Sequence, residues 1–141
     1  AAGGAEVHYG AAKGHEGLVV LTTLGTGIGT AIIQNGVLVP NSELGHIEVD
    51  GKDAESEASA AVRERLDLTW PAYIVRLQRY YETLEALLWP DLLVVGGGIS
   101  KKSDKFLPKL KLRTPIVPAT LRNAAGIVGA AWLANDRVTT K

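Results

Sequence analysis

The 141-residue sequence is 46% apolar and 21% charged, with 15 basic and 15 acidic side chains and no net charge, the profile of a soluble globular domain rather than a disordered tail. Neutrality leaves no surplus charge for nucleic-acid phosphates. The absence of cysteine removes disulfides, thiolate metal sites and thiol nucleophiles, and no apolar run approaches the length of a membrane span. No signal-peptide pattern opens the chain, so a cytoplasmic location is the default expectation.

In chain order, the alanine-rich stretch from Ala1 to Lys13 reads as the tail of a helix that ends near Gly14. Gly17 to Thr23 is a β-branched apolar run and predicts a buried strand. A tight turn at Leu24–Gly27 leads into a second strand, Ile28 to Gln34. Asn35-Gly36 is a strong hairpin signal, because both turn positions need positive φ, and a third strand follows to Val39. The meander is followed by a polar loop from Asn41 to Asp53 and a helical stretch from Ala54 to Leu66. Thr69-Trp70-Pro71 predicts a helix start. Ile74, Leu77, Tyr81, Leu84 and Leu88 then recur at helical spacing to about Trp89. Asp91 to Val95 predicts a short buried strand that ends in Gly96-Gly97-Gly98. A helix through Phe106, a strand at Pro115–Ala119 and a small-residue helix at Ala124–Ala134 complete an α/β pattern.

Several motifs carry chemistry. Gly25-Thr26-Gly27-Ile28-Gly29 lacks the strand-to-helix context of a dinucleotide fingerprint. It is either a structural tight turn or a loop whose backbone N–H groups, with the Thr26 hydroxyl, hold a phosphate. Gly96-Gly97-Gly98 before a helix is either a packing turn or a point of close ligand approach. Lys101 occupies the glycine position of a Walker A loop, so that reading fails. Glu43-Leu44-Gly45-His46 places a carboxylate and an imidazole where they can bond adjacent hydroxyls of a small polar molecule, or sit idle in an exposed loop. Asp53-Ala54-Glu55 adds carboxylates at a helix start, where simple dipole matching also explains them. Residues 43–67 hold eight acids and three bases, and residues 101–113 hold six bases and one acid. The basic stretch is either a solvated face or a guide for an anion.

The order of these motifs is more specific than any one of them. Leu24 to Gly29, the Asn-Gly hairpin, Pro40-Asn41-Ser42-Glu43-Leu44-Gly45-His46, Asp53-Ala54-Glu55, Trp89-Pro90-Asp91 and Gly96-Gly97-Gly98-Ile99-Ser100-Lys101-Lys102 follow one another. Together with Leu121 to Ala130 they closely resemble the polyphosphate-using branch of the ROK group of sugar kinases and repressors. The resemblance implies the actin-like, ribonuclease-H-like fold, with residues 1–141 forming the C-terminal lobe and no N-terminal lobe. It implies phosphoryl transfer from inorganic polyphosphate, with ATP as a further candidate donor, to the 6-hydroxyl of glucose. Gly25, Thr26 and Gly27 match a phosphate-binding motif, Glu43 and His46 the sugar-binding Glu-x-Gly-His, and Glu55 a further sugar-binding glutamate. Gly96, Gly97 and Gly98 match the glycine motif near the nucleotide, and Lys101, Lys102 and Lys105 are expected to guide the polyanion. Mg²⁺ is expected with the donor, structural zinc is not, and a homodimer is expected at full length.

By the same resemblance, the catalytic aspartate and a first phosphate motif, Asp-Gly-Gly-[Thr/Ser], fall upstream of Ala1. No Asp-Gly-Gly occurs in the 141 residues. The chain alone is therefore expected to be inactive. Two readings stand beside this one: a non-catalytic sugar-sensing domain, as in the repressors of the group, and a dimerisation unit built on the Tyr73, Tyr80 and Tyr81 face of the long helix.

Overall fold

A computed structural model describes residues 17–40 and 42–119. The helices expected before Gly14 and after Ala124, and the Leu121–Ala130 part of the resemblance, lie outside the described residues. The described elements are β1 (Leu18–Leu24), β2 (Ile28–Gln34), β3 (Val37–Val39), β4 (Glu48–Val49), β5 (Lys52–Asp53), α1 (Ala54–Ala58), α2 (Ala60–Arg65), α3 (Trp70–Leu88), β6 (Leu92–Gly96) and β7 (Ile116–Pro118). Two 3₁₀ segments, Gly98–Lys105 and Leu107–Lys109, lie between β6 and β7.

The main sheet has the order β3-β2-β1-β6-β7. β1, β2 and β3 form the expected antiparallel meander. Asn35 and Gly36 both take positive φ (50° and 81°) in its second turn, as a two-residue hairpin requires. β6 lies parallel to β1, and β7 parallel to β6. β1 and β6 are central strands covered on both faces, which explains their nearly unbroken apolar sequence. Alternate residues point to opposite sides. Val20, Leu24, Leu93 and Val95 join one cluster, and Val19, Leu21, Leu92 and Val94 join the other.

The first cluster is closed by α3. Thr69 caps this helix by accepting from the Ala72 N–H at 3.3 Å, and Pro71 occupies its first turn. Trp89 ends it in the left-handed conformation (φ 47°, ψ 55°) just before Pro90. Tyr73, Leu77, Tyr80, Tyr81 and Leu84 form its buried face. The Tyr81 hydroxyl meets Thr22 Oγ1 at 2.7 Å inside the core, and Tyr73 donates to the Ala58 carbonyl at 2.8 Å. The three tyrosines are at most 1% exposed. They are core, not the dimerisation surface that their spacing also allowed.

Three local expectations change. The polar loop contains the β4–β5 hairpin, turned by Asp50-Gly51 at φ 52° and 80°. The single helix expected over Ala54–Leu66 is two short ones. Ser59 lies between them in extended conformation, and its hydroxyl accepts from Val62 N–H at 3.3 Å to start the second. The helix expected after the three glycines is 3₁₀, kinked at Lys102 (φ −111°, ψ 25°). Its start is tightened by Ser100, which bonds the Gly97 carbonyl through both its N–H and its hydroxyl. No described helix is long and apolar enough to cross a membrane.

Leu77→Ala should cost about 2–5 kcal/mol in urea unfolding, because a fully buried leucine leaves a cavity. Val75→Ala, at a position 64% exposed on the same helix, should change stability by no more than about 0.5 kcal/mol. Equal effects would contradict the assigned face of α3.

Candidate functional site

Parallel pairing of β1 with β6 sets Thr23 opposite Gly96. The Gly25–Gly27 turn and the Gly96–Gly98 run therefore emerge at the same edge of the sheet. Gly97 sits at φ 90°, and a Cβ there would strike the carbonyl of Leu24, so only glycine brings the two loops this close. A cleft of about 340 Å³ opens at this edge, with Gly25, Thr26, Arg63, Trp70, Gly98 and Lys102 among its lining residues. The Gly25 carbonyl accepts from Ala61 N–H at 3.0 Å, which ties the turn to the start of α2. Of the three lysines singled out in the sequence, Lys102 lines the cleft. Lys101 and Lys105 are exposed on the same 3₁₀ segment but do not line it.

The second half of the site is the Glu43–His46 loop. Leu44 N–H donates to Thr30 Oγ1 at 2.9 Å, and the Tyr80 hydroxyl donates to the Leu44 carbonyl at 3.2 Å. These contacts fix the loop against β2 and α3. Glu43 folds back to accept from Gly45 N–H at 2.6 Å. Glu55, in the first turn of α1, accepts from Ile28 N–H at 2.9 Å, which ties it to the end of the glycine turn. A Cβ at Gly27 would collide with that same Glu55 carboxylate. The other oxygen of Glu55 lies 3.6 Å from His46 Nε2. His46 Nδ1 is 3.0 Å from Asp53 Oδ1. The structure thus brings Glu43, His46 and Glu55 together beside the glycine turn, and the three-glycine run reaches that turn from the other side.

The local field is acidic. The hydrogen bond that His46 donates to Asp53, followed by the charge of Glu55, holds the imidazole above its ordinary value. Asp53 is held below the usual carboxylate range by its hydrogen bonds from Ser56 and then from His46. His46, Asp53 and Glu55 each offer one ligand atom within 4.8 Å of the others. The His46–Asp53 hydrogen bond accounts for that convergence, and we assign no metal to it.

Sequence reasoning missed two features. Arg63 was only a charge in a count, yet its guanidinium lies 3.8 Å over the Trp70 ring, and Trp70 stacks on Phe106 with centroids 5.8 Å apart. Arg63 makes no ion pair among the described residues. Its approach to Trp70, seven positions along and across a helix break, carries no local signature. Asp53 reads in the sequence as a carboxylate at a helix start, matched to the helix dipole. Its contact with His46 follows from the β4–β5 hairpin, whose signal was the Asp50-Gly51 pair.

No family model matches the chain. Among curated proteins, it is 56% identical over 131 residues to a polyphosphate glucokinase of Mycobacterium tuberculosis, covering 93% of the chain and 49% of that protein. It is 49% identical over 139 residues to a polyphosphate glucokinase of Mycobacterium leprae, covering 99% and 43%. Among solved structures, an inorganic polyphosphate/ATP-glucomannokinase from Arthrobacter sp. strain KM superposes with a TM-score of 0.90 at 62% identity, covering 92% of the chain and 51% of that one. A ROK family glucokinase from Streptomyces griseus shares the fold at 22% identity and a TM-score of 0.73, with 94% and 64% covered. The chain spans about half the length of the curated relatives it matches. Over that half, it is similar to polyphosphate glucokinases and has the actin-like α/β fold of the ROK sugar kinases.

Proposed function

We propose that the chain is the C-terminal lobe of an enzyme that transfers a phosphoryl group from inorganic polyphosphate, with ATP as a second donor, to the 6-hydroxyl of glucose. The observation that carries this reading is the junction at Glu55. One carboxylate oxygen braces the start of β2 beside the glycine turn and the other faces His46, so a sugar held by the loop lies next to phosphates held by the turn. Phosphoryl transfer needs positioning and charge stabilisation more than covalent participation by the protein. In this reading Glu43, His46 and Glu55 hold sugar hydroxyls. Gly25, Thr26 and Gly27 offer N–H and hydroxyl donors to the transferred phosphate. Gly96, Gly97 and Gly98 let the donor chain approach closely, while Lys101, Lys102 and Lys105 raise its local concentration.

In this reading the carboxylate that activates the sugar hydroxyl is none of Glu43, Asp53 and Glu55. Each of these is already bonded within the protein: Glu43 with Gly45, Asp53 with His46 and Ser56, and Glu55 with Ile28. Mg²⁺ suits the cleft only as a companion of the donor, since Glu64 is the one carboxylate among its lining residues and the ion favours phosphate oxygens with few protein ligands. When bound, it would neutralise phosphate charge. We place the enzyme in the cytoplasm, as a homodimer at full length. The fold alone is shared with a ROK family transcriptional regulator at 17% identity. The much higher identity to kinases favours catalysis over sensing.

The test is to graft these residues in place of the matching half of the Mycobacterium tuberculosis relative. The graft should form glucose 6-phosphate from polyphosphate, and the 141-residue chain alone should not. A silent but folded graft, or an active isolated chain, would contradict the proposal. In the same graft, replacing Lys101, Lys102 and Lys105 by alanine should raise the apparent KM for long polyphosphate and leave the glucose KM unchanged. It should also flatten the salt dependence of the reaction. Unchanged salt and chain-length dependence would count against a guiding role.

A further inference from the structure

We propose that Asp53 is a positioning residue for His46, fixing the imidazole with its proton on Nδ1 so that Nε2 alone is presented to the sugar. This rests on the sugar-binding reading of the Glu43–His46 loop. The first support is chemical. A carboxylate at Asp53 only accepts, so across the 3.0 Å contact Nδ1 must donate. The second is that Asp53 is itself held. Its Oδ2 accepts from the Ser56 N–H at 3.2 Å and the Ser56 hydroxyl at 2.9 Å. Its backbone pairs with Glu48 across the β4–β5 hairpin, and the next N–H, of Ala54, donates to the carbonyl of Ile47, beside His46.

Capping α1 uses only Oδ2. A plain helix cap leaves Oδ1 to solvent; here it is spent on the imidazole. His46 needs such a constraint, because its side chain is 59% exposed and packing does little to orient it. At the other side of the ring, Nε2 stands 3.6 Å from Glu55 Oε2, beyond hydrogen-bond range. Ile28 N–H already holds the second oxygen of Glu55. The gap between Nε2 and Glu55 is therefore framed by two fixed groups, suited to a hydroxyl that bonds both.

With Nδ1–H fixed, titration falls on Nε2. The charged groups that act on the ring are Asp53, Glu55 and Glu43, all acidic, and they raise its proton affinity. The charge attraction is fully present below the ordinary histidine value of about 6.5 and fades as pH rises through the higher folded value, while the Nδ1–H bond to Asp53 persists in the neutral ring. Below it Nε2 donates to the sugar oxygen; above it Nε2 accepts.

Asp53→Asn and Asp53→Ser separate this role from capping, since both residues cap helices well. Serine cannot span to the ring. Asparagine has one acceptor oxygen, and once that caps α1 its NH₂ faces Nδ1 and demands the opposite tautomer. The readout is the imidazole ¹⁵N spectrum of the 141-residue chain against pH. The unsubstituted chain should show the neutral Nδ1–H form and a midpoint above about 6.5. Both variants should move to Nε2–H, with a midpoint lowered toward 6.5 and a thermal midpoint within about 4 °C of the parent. An Nε2–H tautomer in the parent, or an unchanged tautomer and midpoint in the variants, would overturn the proposal. In the active graft, Asp53→Asn should raise the glucose KM about tenfold and spare the polyphosphate KM. A graft with parental kinetics after Asp53→Asn defeats the positioning role alone. An inactive parent graft with the expected spectrum defeats the sugar-kinase reading instead.

Discussion

The parallel pairing of β1 with β6 places Thr23 opposite Gly96, so two glycine-rich loops leave the sheet side by side. Parallel strands need long crossovers, and here the crossover contains the Glu43–His46 loop, the β4–β5 hairpin and all three described helices. Its return to β6 is secured by α3, whose tyrosine and leucine face is fully withdrawn from water. The loops at the sheet edge are thus set by a core of large buried side chains some distance from them. Ligands in open α/β sheets commonly bind outside the carboxyl ends of strands, and this edge is formed by the carboxyl ends of β1 and β6.

Rigidity at the site comes from hydrogen bonds more than from burial. Glu43, His46 and Thr26 are exposed, while Glu55 and Asp53 are partly so. Thr30 and Tyr80 hold the backbone of Leu44 between Glu43 and His46, while Ile28 holds Glu55 and Ser56 holds Asp53. Charge is divided between the two halves. The Glu43–His46 loop lies beside Asp53 and Glu55, and the cleft at the glycine turns carries Arg63 and Lys102. Under the proposed function, a neutral, hydroxyl-rich acceptor and a polyanionic donor would meet these two environments in that order.

Much of this was readable from residues. β1 and β2 have the expected bounds within a residue, because apolar runs between a glycine, a tight turn and Asn35-Gly36 leave little freedom. α3 was marked by Thr69, Pro71 and its apolar spacing. The break at Ser59 was not legible, since Ala-Ser-Ala-Ala reads as continuous helix; the extended backbone of Ser59 and the bond its hydroxyl accepts from Val62 N–H reveal the new start. The 3₁₀ geometry after Gly98 also escaped, because glycine and serine permit several tight forms and tertiary anchoring by Phe106 and Leu107 decides among them. At the site, motif order singled out Glu43, His46, Glu55 and the two glycine runs, which the fold places near one another, and also Lys101 and Lys105, which do not line the cleft. The His46–Asp53 contact and the Arg63–Trp70 stack arise from chain paths that spacing does not encode.

The most direct test of the account is a backbone NMR titration of the chain with short-chain polyphosphate, which weak binding does not prevent. The account predicts shifts concentrated at Gly25, Thr26, Gly27, Gly97, Gly98 and Lys102, the two loops that β1–β6 pairing brings together. Shifts confined to scattered exposed lysines such as Lys109 and Lys111, with both loops silent, would contradict it.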